Sequence, residues 1–173
     1  MNDQQLKNYI LNGGTYTWKI YKKSDFIGDM IVWESIKTAF DLWSTITRNR
    51  FIYSPNSRQT DFNIGFEKKY HYTSTGSICR PFQSHILGHA YFPETHYAGE
   101  VHFNDDQYFN HEKQYFSFYL LHVAVHEIGH SLGLRHNNRP SSIMFARAKT
   151  NRHFNLYNEF FDREDKKQFL VNL

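Results

Sequence analysis

From Thr15 to Tyr21 the chain reads Thr-Tyr-Thr-Trp-Lys-Ile-Tyr, an alternation with the period of a strand. The period then changes. Val32, Ile36, Ala39, Phe40 and Trp43 recur at helical spacing and predict a long amphipathic helix over Asp29 to Ile46. Arg50 to Tyr53 and Asp61 to Phe66 read as two more strands, and Tyr70 to Phe82 as a long loop. Ile86 to Phe92 and Gly99 to Phe103 are short strand candidates. Phe116 to Leu134 predicts a second helix, with Leu120, Leu121, Val125, Ile128 and Leu132 on its apolar side. Phe161 to Leu173 predicts a closing helix whose first turn is acidic, the end where negative charge is favourable. Strand, helix, strands, helix, helix is an α+β layout, a mixed sheet with helices packed against it.

Composition narrows the class. The 173 residues, without repeats or a low-complexity linker, fit one domain over 1–173. A hydrophobic content of 40% and an aromatic content of 18% are too high for a disordered chain. No apolar run approaches the roughly 18 residues of a membrane span. The net charge of +3 is scattered over pairs such as Lys22-Lys23, Lys68-Lys69 and Lys166-Lys167, with no basic stripe, which argues against a nucleic-acid partner. Cys79 is the one cysteine, so there is no internal disulfide, and it reads as an ordinary loop or semi-buried thiol. The first residues, Met1 to Leu6, are polar and unlike a signal peptide, which leaves open an intracellular chain, another export route or a missing leader.

The chemistry is concentrated in Val123 to His136, VAVHEIGHSLGLRH. His126 and His130 are four apart and share one helix face, so both imidazoles can reach one ion. Glu127 follows the first histidine and can reach a water on that ion, the arrangement of a zinc hydrolase. Gly133 can end the helix by adopting φ > 0, and the turn returns His136 as a third nitrogen ligand. Three histidines leave the fourth zinc position open, as a catalytic site requires. The string His126-Glu127-x-x-His130-x-x-Gly133-x-x-His136, with Met144 downstream, is the metzincin signature with its methionine turn. The bland reading is a helix of satisfied core histidines, which needs all five residues placed so by accident.

Over nearly its whole length the chain resembles the catalytic domain of the matrix metalloproteinases. The resemblance rests on Ala39-Phe40-Asp41-Leu42-Trp43-Ser44, Thr60 to Ile64, Leu87 to Pro93, Val101 to Asp106, the ungapped run His136 to Met144, and Glu164-Asp165. It implies a metzincin-like fold: a mixed, twisted five-stranded sheet, three helices, and a cleft between upper and lower parts. It implies that Met144 lies as a floor under the zinc histidines. It also implies a second, structural zinc held by three histidines and an aspartate. His71, His89 and His102 fall at the histidine positions, but the aspartate position is Thr73, which leaves His85, His96 or a water as candidates for the fourth ligand. One family calcium site has Asn104 and Gln107 where carboxylates are needed and is expected to be lost. Another keeps Asp61 and Glu100, with backbone carbonyls around His96 and Ala98. Latency through the family's inhibitory pro-segment is not expected, because its cysteine motif is not seen in these residues and Cys79 lies in the wrong context to replace it.

The implied function is hydrolysis of peptide bonds in protein substrates, with Glu127 as general base to a zinc-activated water. Substrate would lie extended along the strand Ile86 to Phe92, pairing with backbone at Leu87, Gly88 and Ala90. The specificity pocket should be altered, since Ala146-Arg147-Ala148 stands where the family usually shows Pro-x-Tyr. The implied protein is an extracellular monomer that meets protein substrates and protein protease inhibitors. Two other readings compete: an inactive zinc-binding relative that captures peptides or inhibitors, and a domain whose histidines serve folding alone.

Overall fold

The computed structural model describes residues 13–107, 109, 118–147 and 160–170. Its elements in chain order are β1 (Thr15–Lys22), α1 (Asp29–Ile46), β2 (Arg50–Tyr53), β3 (Phe62–Glu67), β4 (Gly88–Ala90), β5 (Glu100–Asn104), α2 (Phe118–Ser131) and α3 (Arg163–Leu170). The strands form one sheet in the order β2-β1-β3-β5-β4. All neighbours are parallel except β4, which runs antiparallel to β5 and forms an edge. Within the described residues the architecture is therefore α+β, with a mixed five-stranded sheet and three helices.

The helical stripe read from the sequence is the buried face of α1: Val32, Ile36, Ala39, Phe40 and Trp43. Aromatic rings fill the space between α1 and the sheet. Trp18 stacks on Phe40 at 4.9 Å, and Phe40 meets the edge of Phe62 at 5.5 Å. β5 is buried at every position, as expected of a strand with a neighbour on each side. Trp43 is wholly buried, and its indole N–H donates to the Val125 carbonyl of α2 at 2.9 Å. That bond fixes α1 against the helix that carries the histidine motif.

Several boundaries differ from the sequence reading. β4 is shorter than Ile86 to Phe92: only Gly88–Ala90 pair regularly, opposite Phe103, His102 and Val101. β3 begins and ends one residue later than expected. α2 ends at Ser131 instead of Leu134. The reason is a Schellman cap, in which Leu134 N–H donates to Gly129 O and Gly133 N–H to His130 O, with Gly133 at φ 94°. Residues 116–117 and 171–173, included in the two expected helices, lie outside the described residues. Within the described residues, no helix is long and apolar enough to cross a membrane.

Candidate metal centre

α2 holds His126 and His130 on one face, and the cap at Gly133 turns the chain so that His136 returns to them. His126 Nε2 and His130 Nε2 each lie 3.1 Å from His136 Nε2. The opposite ring nitrogens are anchored: His126 Nδ1 on the Ile143 carbonyl and His130 Nδ1 on the Leu134 carbonyl, both at 2.7 Å. A carbonyl only accepts, so each Nδ1 carries the proton and each Nε2 presents a lone pair. Burial holds His126 neutral, with its pKa lowered to about 4. Burial and then neighbouring His126 lower His130 to about 3. Two lone pairs aimed at one point repel, and a cation at that point removes the conflict. A tetrahedral zinc with bonds of about 2.0–2.1 Å sets its nitrogens about 3.4 Å apart, so these residues fit zinc.

Glu127 is buried beside them, and its Oε2 has no hydrogen-bond partner. Burial alone pushes its pKa up to about 8. Gly88 on β4 lies close above: a Cβ there would come within 3.1 Å of Glu127 Cγ. The cleft has a volume of about 460 Å³, and Gly88, Ala90, Phe92, Glu127, His130 and His136 are among its walls. Leu87, the other expected substrate contact, flanks the same edge, and its carbonyl accepts from Asn104 N–H at 2.8 Å.

Met144 does lie against the motif helix. A Cβ at Gly129 would sit 2.6 Å from Met144 Sδ and 2.9 Å from Trp43 Cζ2, so only glycine admits both side chains. The turn Ser142–Met144 is held from below by Asp165 of α3. Asp165 is buried and accepts from Ser142 Oγ at 2.6 Å, Ile143 N–H at 3.0 Å and Arg139 at 2.7 Å. The sequence showed Asp165 as a first-turn acid and as one of the residues of the family resemblance, but not its contacts. Its partners lie more than twenty positions away, and no local pattern marks them. After Met144 the chain leaves the core: Ala146 and Arg147 are exposed, and Ala148 lies outside the described residues.

A second cluster forms where β4 and β5 meet the 71–79 segment. His71 Nε2 is 3.4 Å from His89 Nε2, which is 3.1 Å from His102 Nδ1. Again the outer nitrogens are anchored, His71 Nδ1 on the Lys68 carbonyl and His102 Nε2 on Glu100, both at 3.0 Å. The three histidines expected to gather therefore do so. At the fourth position His85 and His96 are exposed and stand away from the cluster, and the group that joins it is Cys79. Its thiol is buried, not the ordinary loop or semi-buried group read from the sequence. Burial raises its pKa, but bonds to His102, His71, His89 and Tyr91 outweigh that and pull it well below the usual thiol range.

The calcium expectations meet occupied side chains. Asn104 Nδ2 donates to the Ile86 carbonyl at 2.8 Å and Gln107 Nε2 to the Ser84 carbonyl at 3.0 Å. Amide N–H groups thus tie that loop directly to the sheet. Asp61 accepts from Thr17 N–H at 2.6 Å and Thr17 Oγ1 at 2.8 Å, while Glu100 binds Ser74 and His102. Asp61 and Glu100 are engaged separately, and a calcium ion shared by them would have to displace these bonds.

Comparison with known proteins bears on the same residues. The chain is 34% identical over 156 residues to Matrix metalloproteinase-16 of Homo sapiens, an overlap of 80% of this chain and 24% of the relative. It is 34% identical over 148 residues to Karilysin of Tannerella forsythia, covering 80% of this chain and 30% of that protein. Stromelysin-3 of Xenopus laevis is 33% identical over 145 residues, at 80% and 29% coverage. The chain thus spans about a quarter to a third of the length of these relatives. The family profile described as Matrixin, of the M10 peptidases, matches residues 10–166, a span that includes both histidine clusters, Glu127 and Met144, and the chain belongs to the matrixin family.

Proposed function

We propose that the chain is a single catalytic domain that hydrolyses internal peptide bonds of protein substrates as a zinc endopeptidase. The observation that carries the reading is Glu127, a buried carboxylate with an unpartnered oxygen, set beside three converging imidazoles at an open cleft. His126, His130 and His136 would hold the zinc and leave its fourth position to solvent. Zinc bound there supplies Lewis acidity, which lowers the pKa of water and polarises the scissile carbonyl. Glu127 takes the proton of the attacking water and returns it to the leaving amine. Burial pushes the carboxyl pKa up in the metal-free chain, and a cation held by the neighbouring imidazoles would draw it back towards the ionised form that accepts the proton. β4 is a sheet edge next to Glu127, so an extended substrate can add to it as a further strand at Leu87, Gly88 and Ala90. A second zinc at His71, His89 and His102 belongs to the same reading as a structural ion.

The test is cleavage of a denatured protein by wild type and Glu127→Gln, with zinc content measured on both. Glutamine keeps the shape and removes the base, so turnover should fall by about 10²–10⁴-fold with zinc retained. Undiminished cleavage by that variant would remove Glu127 from the role.

A further inference from the structure

We propose that Cys79 is a metal ligand, and that its thiolate completes with His71, His89 and His102 a closed, four-coordinate site of three nitrogens and one sulfur. The inference rests on the reading that this cluster holds a zinc-class cation, and it changes which side chain supplies the fourth bond.

The geometry comes from a short hairpin inside the stretch that reads as a loop. Tyr72 and Ile78 form an antiparallel bridge, and Cys79 N–H donates to His71 O at 3.0 Å. The turn between them uses Thr73, whose carbonyl accepts from Gly76 N–H and whose hydroxyl accepts from Ser77 N–H at 3.1 Å. Gly76 sits at φ 86°, where the reversal requires it. In such a hairpin residue 71 stands opposite residue 79. Alternation then sends Tyr72 and Ile78 outward, at 58% and 78% exposure, and His71 and Cys79 inward, at 4% each. The Thr73 oxygen is thus engaged in the turn, and the inward position across from His71 carries the sulfur.

The distances match coordination. Sγ is 3.3 Å from His89 Nε2 and 3.4 Å from His102 Nδ1, and all four ligand atoms lie within 4.8 Å of one another. A tetrahedral zinc with bonds of about 2.0–2.1 Å to nitrogen and about 2.3 Å to sulfur places the two donor types about 3.6 Å apart. His71 and His102 each have their other ring nitrogen bonded to an acceptor, so their lone pairs face Cys79 and His89. Glu100 behind His102 fixes the ring that donates through Nδ1.

Three imidazoles and a thiolate, buried and closed, suit zinc or cobalt and reject hard cations such as calcium and magnesium. The bound ion would fasten the hairpin to β4 and β5. The chain running on from Cys79 supplies Arg80, Phe82 and Gln83 to the wall of the cleft, so the sulfur bond anchors that wall.

Cobalt titration of the metal-stripped chain tests this without reading activity. The chain has one cysteine and the cleft cluster has only imidazoles, so any thiolate-to-cobalt charge-transfer band must come from Cys79. Two cobalt ions per chain with that band in wild type are expected. Cys79→Asp should keep two ions and lose the band, and Cys79→Ser should lose the band and bind the second ion more weakly. Two ions in wild type with no thiolate band would overturn the role of Cys79 and leave the second metal in place. One ion in wild type, held without the band, would overturn both the second metal and this inference. If Cys79→Ser fails to fold, the wild-type spectrum and Cys79→Asp still decide.

Discussion

The two histidine clusters use the same donor atom in opposite ways. The cleft cluster takes its three imidazoles from one stretch, His126 to His136, and opens on a cleft. The sheet cluster takes its groups from the hairpin, β4 and β5, and closes around its centre with Cys79. One is built by helix periodicity and a single cap. The other is built by strand register, in which His89 stands directly opposite His102. The difference shows where chemistry needs room and where it needs restraint: an open triad can accept a reacting group, and a closed tetrad cannot.

Chelation should separate the two most strongly. His136 is exposed and the sheet-cluster ligands are largely buried, so the cleft ion should leave first. Cleavage should vanish at that step with a small change in unfolding temperature. Loss of the second ion should then cost more stability, about 4 kcal/mol where free metal stood at a thousand times its Kd. Calorimetry beside an activity assay, both against chelator concentration, checks this. A single step in which activity and unfolding temperature fall together would show that the clusters are not independent.

Asp165→Ala should act on the cleft side alone. It removes the acceptor for Ser142 Oγ, Ile143 N–H and Arg139, leaving Ile143 N–H buried without a partner and the Ser142 hydroxyl proton without its acceptor. The expected cost is about 3 kcal/mol, read as a lower denaturant midpoint at unchanged slope. Zinc affinity in the cleft should fall as well, because Ile143 O orients His126. The sheet cluster's metal content should not change. Equal loss of metal from both clusters would mean that Asp165 supports the whole fold and not one site.

What was legible in the sequence follows the same division. His126, Glu127, His130, Gly133 and His136 are fixed by local geometry, so spacing alone placed them. The helix 29–46 and the strand over 15–21 were legible because their apolar residues recur at each element's own period, Val32 to Trp43 along α1 and Tyr16, Trp18 and Ile20 along β1. Cys79 was not, because the 71–79 hairpin has no run of alternating apolar residues and its partners come from β4 and β5. The role of Asp165 was not legible either, because first-turn acids are common and usually face water, whereas this one is 2% exposed. Sequence spacing carries information within an element and across its caps. It carries little about which loop side chain a distant strand will meet.

The smallest effect concerns the carboxylate next to Asp165. Asp162 caps α3: its Oδ1 accepts from Asp165 N–H at 2.7 Å, and Asp165 Oδ2 accepts from Asp162 N–H at 3.2 Å, a reciprocal capping arrangement. Partial burial tends to raise the Asp162 pKa, but Arg139, the Asp165 backbone and Ser141 outweigh it and lower it to about 2. A carboxylate with a depressed folded pKa adds stability above its ordinary value near 3.8, and that stability is lost as the pH falls through about 2. The group is close to solvent, so screening should hold the gain to about 0.5 kcal/mol. Asp162→Asn keeps the cap and removes the charge, since asparagine caps as well as aspartate. The stability difference between wild type and this variant, followed in metal-free protein, should be constant above about pH 4, shrink towards pH 2, and shrink at high salt. Titration of the histidines is common to both proteins and cancels in that difference. A difference that survived at pH 2 would show that the side chain acts through hydrogen bonding alone, and that the floor of the cleft cluster does not depend on the charge of the partly buried Asp162.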